Sequence, residues 1–359
     1  MNEFENIDYQ LPYNPSDVDI RQQKFSVGQI VEMITHSDID LLDLSDYQRN
    51  TTAWSAEQKS RLIESLIMRI PLPIFYFDGS ERSWKVIDGL HRLITLYTFM
   101  RGASFNLKKL EFIKEIEGKT FFEIPFKYRR AIEESEITAY IINPGTPDSV
   151  KINIFHRINT GGAMLSRQEI RSAYYRGVAA DFIKELSETD EFLIATLNRV
   201  SKSKMRDKEF ALRFFAFYYF LTRYHPPMEK FLDTTMVVIR KMQDYLLADA
   251  RNAFKKSMIV CNEIFNEKAF YMLNINGEKI GSSINLALFE TWAVNIALLD
   301  SNQQTTLIHN KDKVLTVFTQ LLQETEFYKS ITAGTSSRKA VYTRFEKIKS
   351  LIQKITNDN

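Results

Sequence analysis

WKVIDGLHRLIT, residues 84–95, is the stretch on which the reading of the fold turns. An alternating apolar run ends at Asp88-Gly89, and the period then changes to a helical one that continues to about Met100 and stops at Gly102. The preceding IPLPIFYFDGSERS supplies a second strand, with Pro71 and Pro73 closing the helix before it and Asp78-Gly79 providing the turn. The unit is therefore strand, turn, strand, tight turn, helix. At such a junction the first backbone N–H groups of the helix lack partners and the helix dipole favours an anion, so phosphate is a natural guest. Gly89 lets a ligand approach the backbone, Arg92 can grip phosphate oxygens with both arms of its guanidinium, and Asp88 can hold Mg²⁺ or orient a water. The alternative is structural: Asp88 caps the helix and Arg92 pairs with a carboxylate.

Outward from this stretch, residues 1–25 are polar, carry Pro12 and Pro15, and read as a flexible arm. Ser26 with Gln29 and Ser55 with Gln58 form capping boxes, each opening a helix; Leu62, Ile63, Leu66 and Ile67 share one face of the second. IDLLDL (39–44) reads as a buried strand, residues 126–134 as a short helix and EITAYII (136–142) as a strand. NPGTPD (143–148) is the strongest punctuation, and beyond it long Phe-, Tyr- and Leu-rich periodic segments predict helices. The expected organisation is an α+β chain: the arm, an α/β domain at 26–148, and a mostly α-helical domain at 149–359.

Composition sets limits. Across 359 residues, 47 basic and 45 acidic side chains leave a net charge of +2, so nucleic-acid binding would need a local patch. The best one lies at 198–208, where Arg199, Lys202, Lys204, Arg206 and Lys208 face one acid, Asp207; DNA-binding candidates are Lys202, Lys204 and Arg206, against the alternative of a solvated loop. The Phe and Tyr run from Phe210 to Phe220 reads as core. One cysteine, Cys261, excludes an internal disulfide framework, and five scattered histidines make structural zinc unfavourable. With no signal-like start and no run long enough to span a bilayer, the chain is expected to be cytoplasmic with no membrane partner. It contains no Walker A loop, no GxGxxG, no HExxH and no H-N-H-like cluster.

Two further segments can meet an anion. Arg49 in YQRN (47–50) follows a predicted strand, and FHRINTGGAMLSRQEIRSA (155–173) places Asn159, Gly161 and Gly162 in a tight loop before a third capping box, Ser166 with Glu169. Each also reads as an ordinary corner between elements.

The order of these motifs, YQR-x4-W, I-P-L-P-I, VIDGLHRL-x-T-L and F-x-R-I-N-T-G-G-x-x-L-S-x-x-E, resembles the N-terminal domain family of GmrSD-type Type IV restriction systems, over roughly residues 25–225. The resemblance implies a ParB/sulfiredoxin-like α/β domain followed by a helical domain. It implies a stand-alone GmrS-like chain that binds, and hydrolyses or senses, a nucleoside triphosphate with Mg²⁺, beside a separate nuclease subunit. In that reading Asp88, His91 and Arg92 are the catalytic candidates and Asp88 the metal ligand. Tyr47, Gln48, Arg49, Gly89, Arg92, Asn159 and Gly161 bind the nucleotide. The family's usual pentapeptide is DGQQR; here Leu90-His91 replaces Gln-Gln, and leucine cannot replace glutamine's hydrogen bonds. DGLHR is closer to the DGQHR of DndB-like proteins and the G-x-H-R of ParB and sulfiredoxin. Sulfiredoxin chemistry is excluded because leucine stands where its thiol belongs. A non-enzymatic DNA-binding or regulatory module and a metal-dependent DNA nickase are the alternative functions, and DNA and a second copy of the chain are the further partners considered.

Overall fold

The computed structural model describes residues 18–41, 54–102, 105–158 and 166–357. It divides into two compact units, Met1–Gly162 and Ala163–Asn359.

The first unit is built on a five-stranded mixed sheet in the order β1-β5-β3-β4-β2, with β1 at Ile20–Ser26, β2 at Ile39–Asp40, β3 at Phe75–Asp78, β4 at Trp84–Asp88 and β5 at Glu136–Ile142. β1 runs antiparallel to β5, β5 parallel to β3, β3 antiparallel to β4 and β4 parallel to β2. One face carries Phe75, Phe77, Ala139 and Ile141, all at 0% exposure, against Val27, Ile30, Ile63, Leu93, Leu96 and Phe99 from the surrounding helices. That face is the core, and the alternation along each strand sends the remaining side chains to the other side.

Both capping boxes of this unit are formed. Ser26 caps the helix Val27–Thr35 and Ser55 caps Ala56–Ile67, with Gln29 and Gln58 reaching back to the cap N–H groups. The helices Leu90–Met100 and Phe126–Glu134 and the strands at 75–78, 84–88 and 136–142 lie where the periodicity put them.

Three expectations change. Residues 20–26 belong not to a loose arm but to the edge strand β1, paired along its whole length with β5. IRQQKFS shows no clear alternation because only Phe25 is buried; the strand is held by backbone pairing to a buried neighbour. Of IDLLDL, Ile39–Asp40 is a strand beside Trp84 and Lys85, and residues 42–44 lie outside the described residues. Finally, the helix Asp148–Ile158 belongs to the first unit rather than opening the second. Its Lys151 is buried, with Nζ 3.4 Å from Asp78 Oδ2 and a hydrogen bond to Ser80 Oγ, and this pins the helix to the β3–β4 turn.

The second unit is helical from Arg167–Tyr174 to Arg338–Asn357, apart from a small hairpin of Met272–Leu273 and Lys279–Ile280. Ser166 and Glu169 form the third capping box. Every residue from Ala287 to Ile296 in the helix Leu286–Ala297 is buried, as expected of a helix enclosed on all sides. Phe210, Phe214, Phe215, Phe217 and Phe220 also lie in this core. Within it, Glu290 receives Arg344 and Arg213, so the charge is enclosed but paired. No described helix is long and apolar enough to cross a membrane.

Candidate functional site

The pairing of β4 with β3 shifts register between Tyr76 and Phe77, so Phe77 faces Val86 while Tyr76 faces Asp88. An irregularity of this kind re-aims a side chain at a strand end. It sets Asp88 opposite Tyr76 just before the chain turns into the helix Leu90–Met100.

Gly89 makes that turn at φ +100°, a conformation that strains any residue with a Cβ. A Cβ built there would lie 2.4 Å from Phe75 Cδ1. The glycine is therefore required by the Phe75 ring and the backbone angle, a reason different from the close approach of a ligand expected from sequence. Gly89 occupies the cap position itself, so Asp88 is not the helix cap.

Arg92 is buried, and its guanidinium points inward. Nη2 donates to Asp88 Oδ2 at 2.8 Å and to the Ile74 carbonyl at 3.2 Å, Nη1 donates to the Pro73 carbonyl, and the group lies 4.2 Å from the Phe75 ring centre. The expected two-armed grip on phosphate is, in this conformation, spent on tying the helix to the entrance of β3. Sequence could not show this, because the partner carbonyls lie 18 and 19 residues upstream.

His91 stacks on Trp54 with ring centres 5.9 Å apart and planes 8° from parallel. Burial pulls its imidazole below the ordinary value, with Lys59 acting in the same sense and Asp88 opposing. The ring is thus biased toward the neutral form, which can accept a proton. Tyr76 is pushed the other way, by burial first and then by Tyr140 and Asp88, and keeps its phenol proton. Asp88 therefore acts electrostatically on His91, Arg92 and Tyr76 together. Tyr76 and Trp54 are the members of this cluster that sequence reasoning missed as site residues. The register irregularity brings in the first and a long-range stack the second.

The structure brings together Asp88, Gly89, His91 and Arg92. Tyr47, Gln48, Arg49, Asn159 and Gly161 lie outside the described residues. Lys202, Lys204 and Arg206 are exposed in the second unit, around a turn in which Lys204 and Met205 take positive φ of 57° and 54°. Cys261 is buried in the helix Asp244–Phe265, and burial pushes its thiol up, so it is poorly suited to nucleophilic chemistry.

Mixed sheet, glycine turn and charged cluster define an α/β domain whose polar residues gather at a strand-to-helix junction. Residues 27–176 match the family described as GmrSD restriction endonuclease, N-terminal domain, and that part of the chain is a domain of this family. No curated protein and no solved structure matches the chain.

Proposed function

We propose that the first unit binds a nucleoside triphosphate at the Asp88-Gly89-Leu90 turn, and that the protein is the nucleotide-responsive component of a restriction or anti-phage system working with a separate nuclease. The observation that carries the reading is the Asp88 carboxylate. It is set by a strand irregularity at the mouth of a helix that begins on glycine; it pairs with Arg92 and acts electrostatically on His91 and Tyr76.

In this reading the N–H groups of the helix's first turn receive phosphate oxygens. Among the described residues no group of three or more His, Cys, Asp or Glu could hold a metal ion. Mg²⁺ fits because it keeps several waters and is commonly bound by one or two carboxylates together with substrate phosphates. Asp88 would hold it, and the ion would neutralise phosphate charge. Asp88 orients the attacking water, and neutral His91 is the group able to take its proton. Arg92 acts mainly by fixing the Asp88 side chain. The Leu90 side chain adds no hydrogen bond, so the reading centres on binding and sensing rather than on rapid turnover.

The test is to measure nucleotide binding and phosphate release by the full chain and by Asp88→Asn and His91→Gln. Loss of hydrolysis with folding retained supports the assignment. Absence of any binding by the wild type at millimolar nucleotide removes it.

A second reading, DNA binding by the helical unit, draws on the exposure of Lys202, Lys204 and Arg206 around one turn. It predicts affinity that falls steeply with salt and drops when all three are neutralised. DNA binding unchanged in the triple variant would exclude that surface.

A further inference from the structure

Three strand pairings line up as a single row across the sheet. Gln22 on β1 stands opposite Tyr140 on β5, Tyr140 opposite Tyr76 on β3, and Tyr76 opposite Asp88 on β4. Across the regular β1–β5–β3 pairings directly opposed residues project from the same face, so an amide and two phenols form one strip, and the register irregularity puts Asp88 at its β4 end. The strip spans three strand spacings of about 4.8 Å each.

The face changes character at this row. Two residues further along, Asp78 and Ile142 are buried, and Lys151 of the helix Asp148–Ile158 reaches Asp78 and Ser80 there. At the row itself Tyr76 and Tyr140 are only half-buried, Asp88 keeps 35% of its side chain exposed, and Gln22 is exposed. The two tyrosine rings stack at 5.4 Å with planes 28° apart. The core residues of the same strands point the other way, and Tyr76 and Tyr140 lie outside the hydrophobic cluster they form.

Half-exposed stacked aromatic rings on a sheet suit a planar base, because every base has a π-face. A glutamine amide at the outer end offers both a donor and an acceptor to a base edge. At the other end the row reaches Asp88 and the glycine turn.

We propose that the row Gln22–Tyr140–Tyr76–Asp88 is the base-binding half of the nucleotide site: the tyrosine pair stacks the base, Gln22 reads its edge, and the Asp88 end meets the phosphates. This rests on the nucleotide reading of the Gly89 turn.

The test measures equilibrium binding of the four common ribonucleoside triphosphates to the full chain, with inorganic triphosphate as a probe of the phosphate half alone. Tyr76→Leu and Tyr140→Leu remove the aromatic face while keeping apolar bulk, and their melting curves check folding. Each is expected to weaken nucleotide binding by about tenfold, the scale of one base–aromatic stack, and to leave inorganic triphosphate unaffected. Tyr76→Phe and Tyr140→Phe should bind nucleotide nearly as the wild type does, and Gln22→Ala should change the ranking of the four bases. Leucine variants that are folded and bind nucleotide like the wild type overturn the base site while leaving the phosphate site standing. A wild type that binds neither nucleotide nor inorganic triphosphate overturns both.

Discussion

Arg92 Nη2 lies 2.8 Å from Asp88 Oδ2, an ion pair between the last residue of a strand and the first turn of the following helix, bridging the glycine between them. The two partners are unequal: 10% of the Arg92 side chain is exposed against 35% of Asp88. Arg92 also serves the Pro73 and Ile74 carbonyls, whereas Asp88 can be reached by water and ligand. Arg92→Ala is therefore expected to cost about 2–4 kcal/mol, because it strands two carbonyls and a carboxylate. Asp88→Asn, discounted for solvent screening, should cost about 1 kcal/mol or less. Urea unfolding of both variants checks the asymmetry, and equal losses would contradict it.

Gly89→Ala should be among the most damaging single-methyl changes in the first unit. The added carbon meets the Phe75 ring at 2.4 Å, and φ of +100° adds backbone strain. Together these amount to about 2–4 kcal/mol. In a Phe75→Leu background the steric part should shrink while the backbone part persists. A double-mutant cycle on thermal or denaturant unfolding reads the coupling directly.

His91 predicts an acid-side loss of stability. Burial holds its folded-state value below the ordinary 6.5, so under more acid conditions the unfolded chain binds a proton that the folded chain resists. Stability should be flat with respect to this group above 6.5 and fall as pH drops below it, until the folded-state value is passed. His91→Gln should flatten that part of the curve. An unchanged pH dependence of unfolding between the wild type and this variant would contradict the assignment.

Glu64 holds the loop after the helix Leu90–Met100 in place. Its carboxylate, in a residue only 4% exposed, accepts the N–H groups of Glu111, Phe112 and Ile113 at 3.0, 2.8 and 2.9 Å. Burial raises its pKa, but the three donors outweigh it and the net shift is below the ordinary 4.5. The resulting stability is present above 4.5 and is lost as pH falls through the lowered folded-state value. Glu64→Ala should cost about 2–3 kcal/mol and speed proteolysis in the 105–117 loop. Limited digestion followed by mass spectrometry locates the cut.

In the second unit, Glu290 and Arg344 are both fully buried, and Arg213 Nη1 lies 3.3 Å from the other oxygen of Glu290. Glu290→Ala leaves two enclosed guanidinium groups without this partner and is expected to cost about 3–5 kcal/mol. Glu290→Gln should cost less because it keeps a hydrogen-bonding oxygen. Differential scanning calorimetry ranks the two.

Sequence alone determined whatever depends on neighbours a few residues apart. Ser26 with Gln29, Ser55 with Gln58 and Ser166 with Glu169 form their caps across three residues, so their signatures need no tertiary partner. The Asp88-Gly89 turn was legible for the same reason, since period and glycine both change locally. Tertiary structure decided the matters that join distant segments. β1 exists because β5 offers it a backbone ladder 116 residues later, counted from Gln23 to its partner Ala139. Arg92 turns inward because Pro73 and Ile74 present carbonyls to it, and Asp88 meets Tyr76 because β4 shifts register on β3. A motif names the residues that meet at a turn, but packing sets the direction of each side chain, and here it gave Arg92 to the scaffold and brought Tyr76 to Asp88.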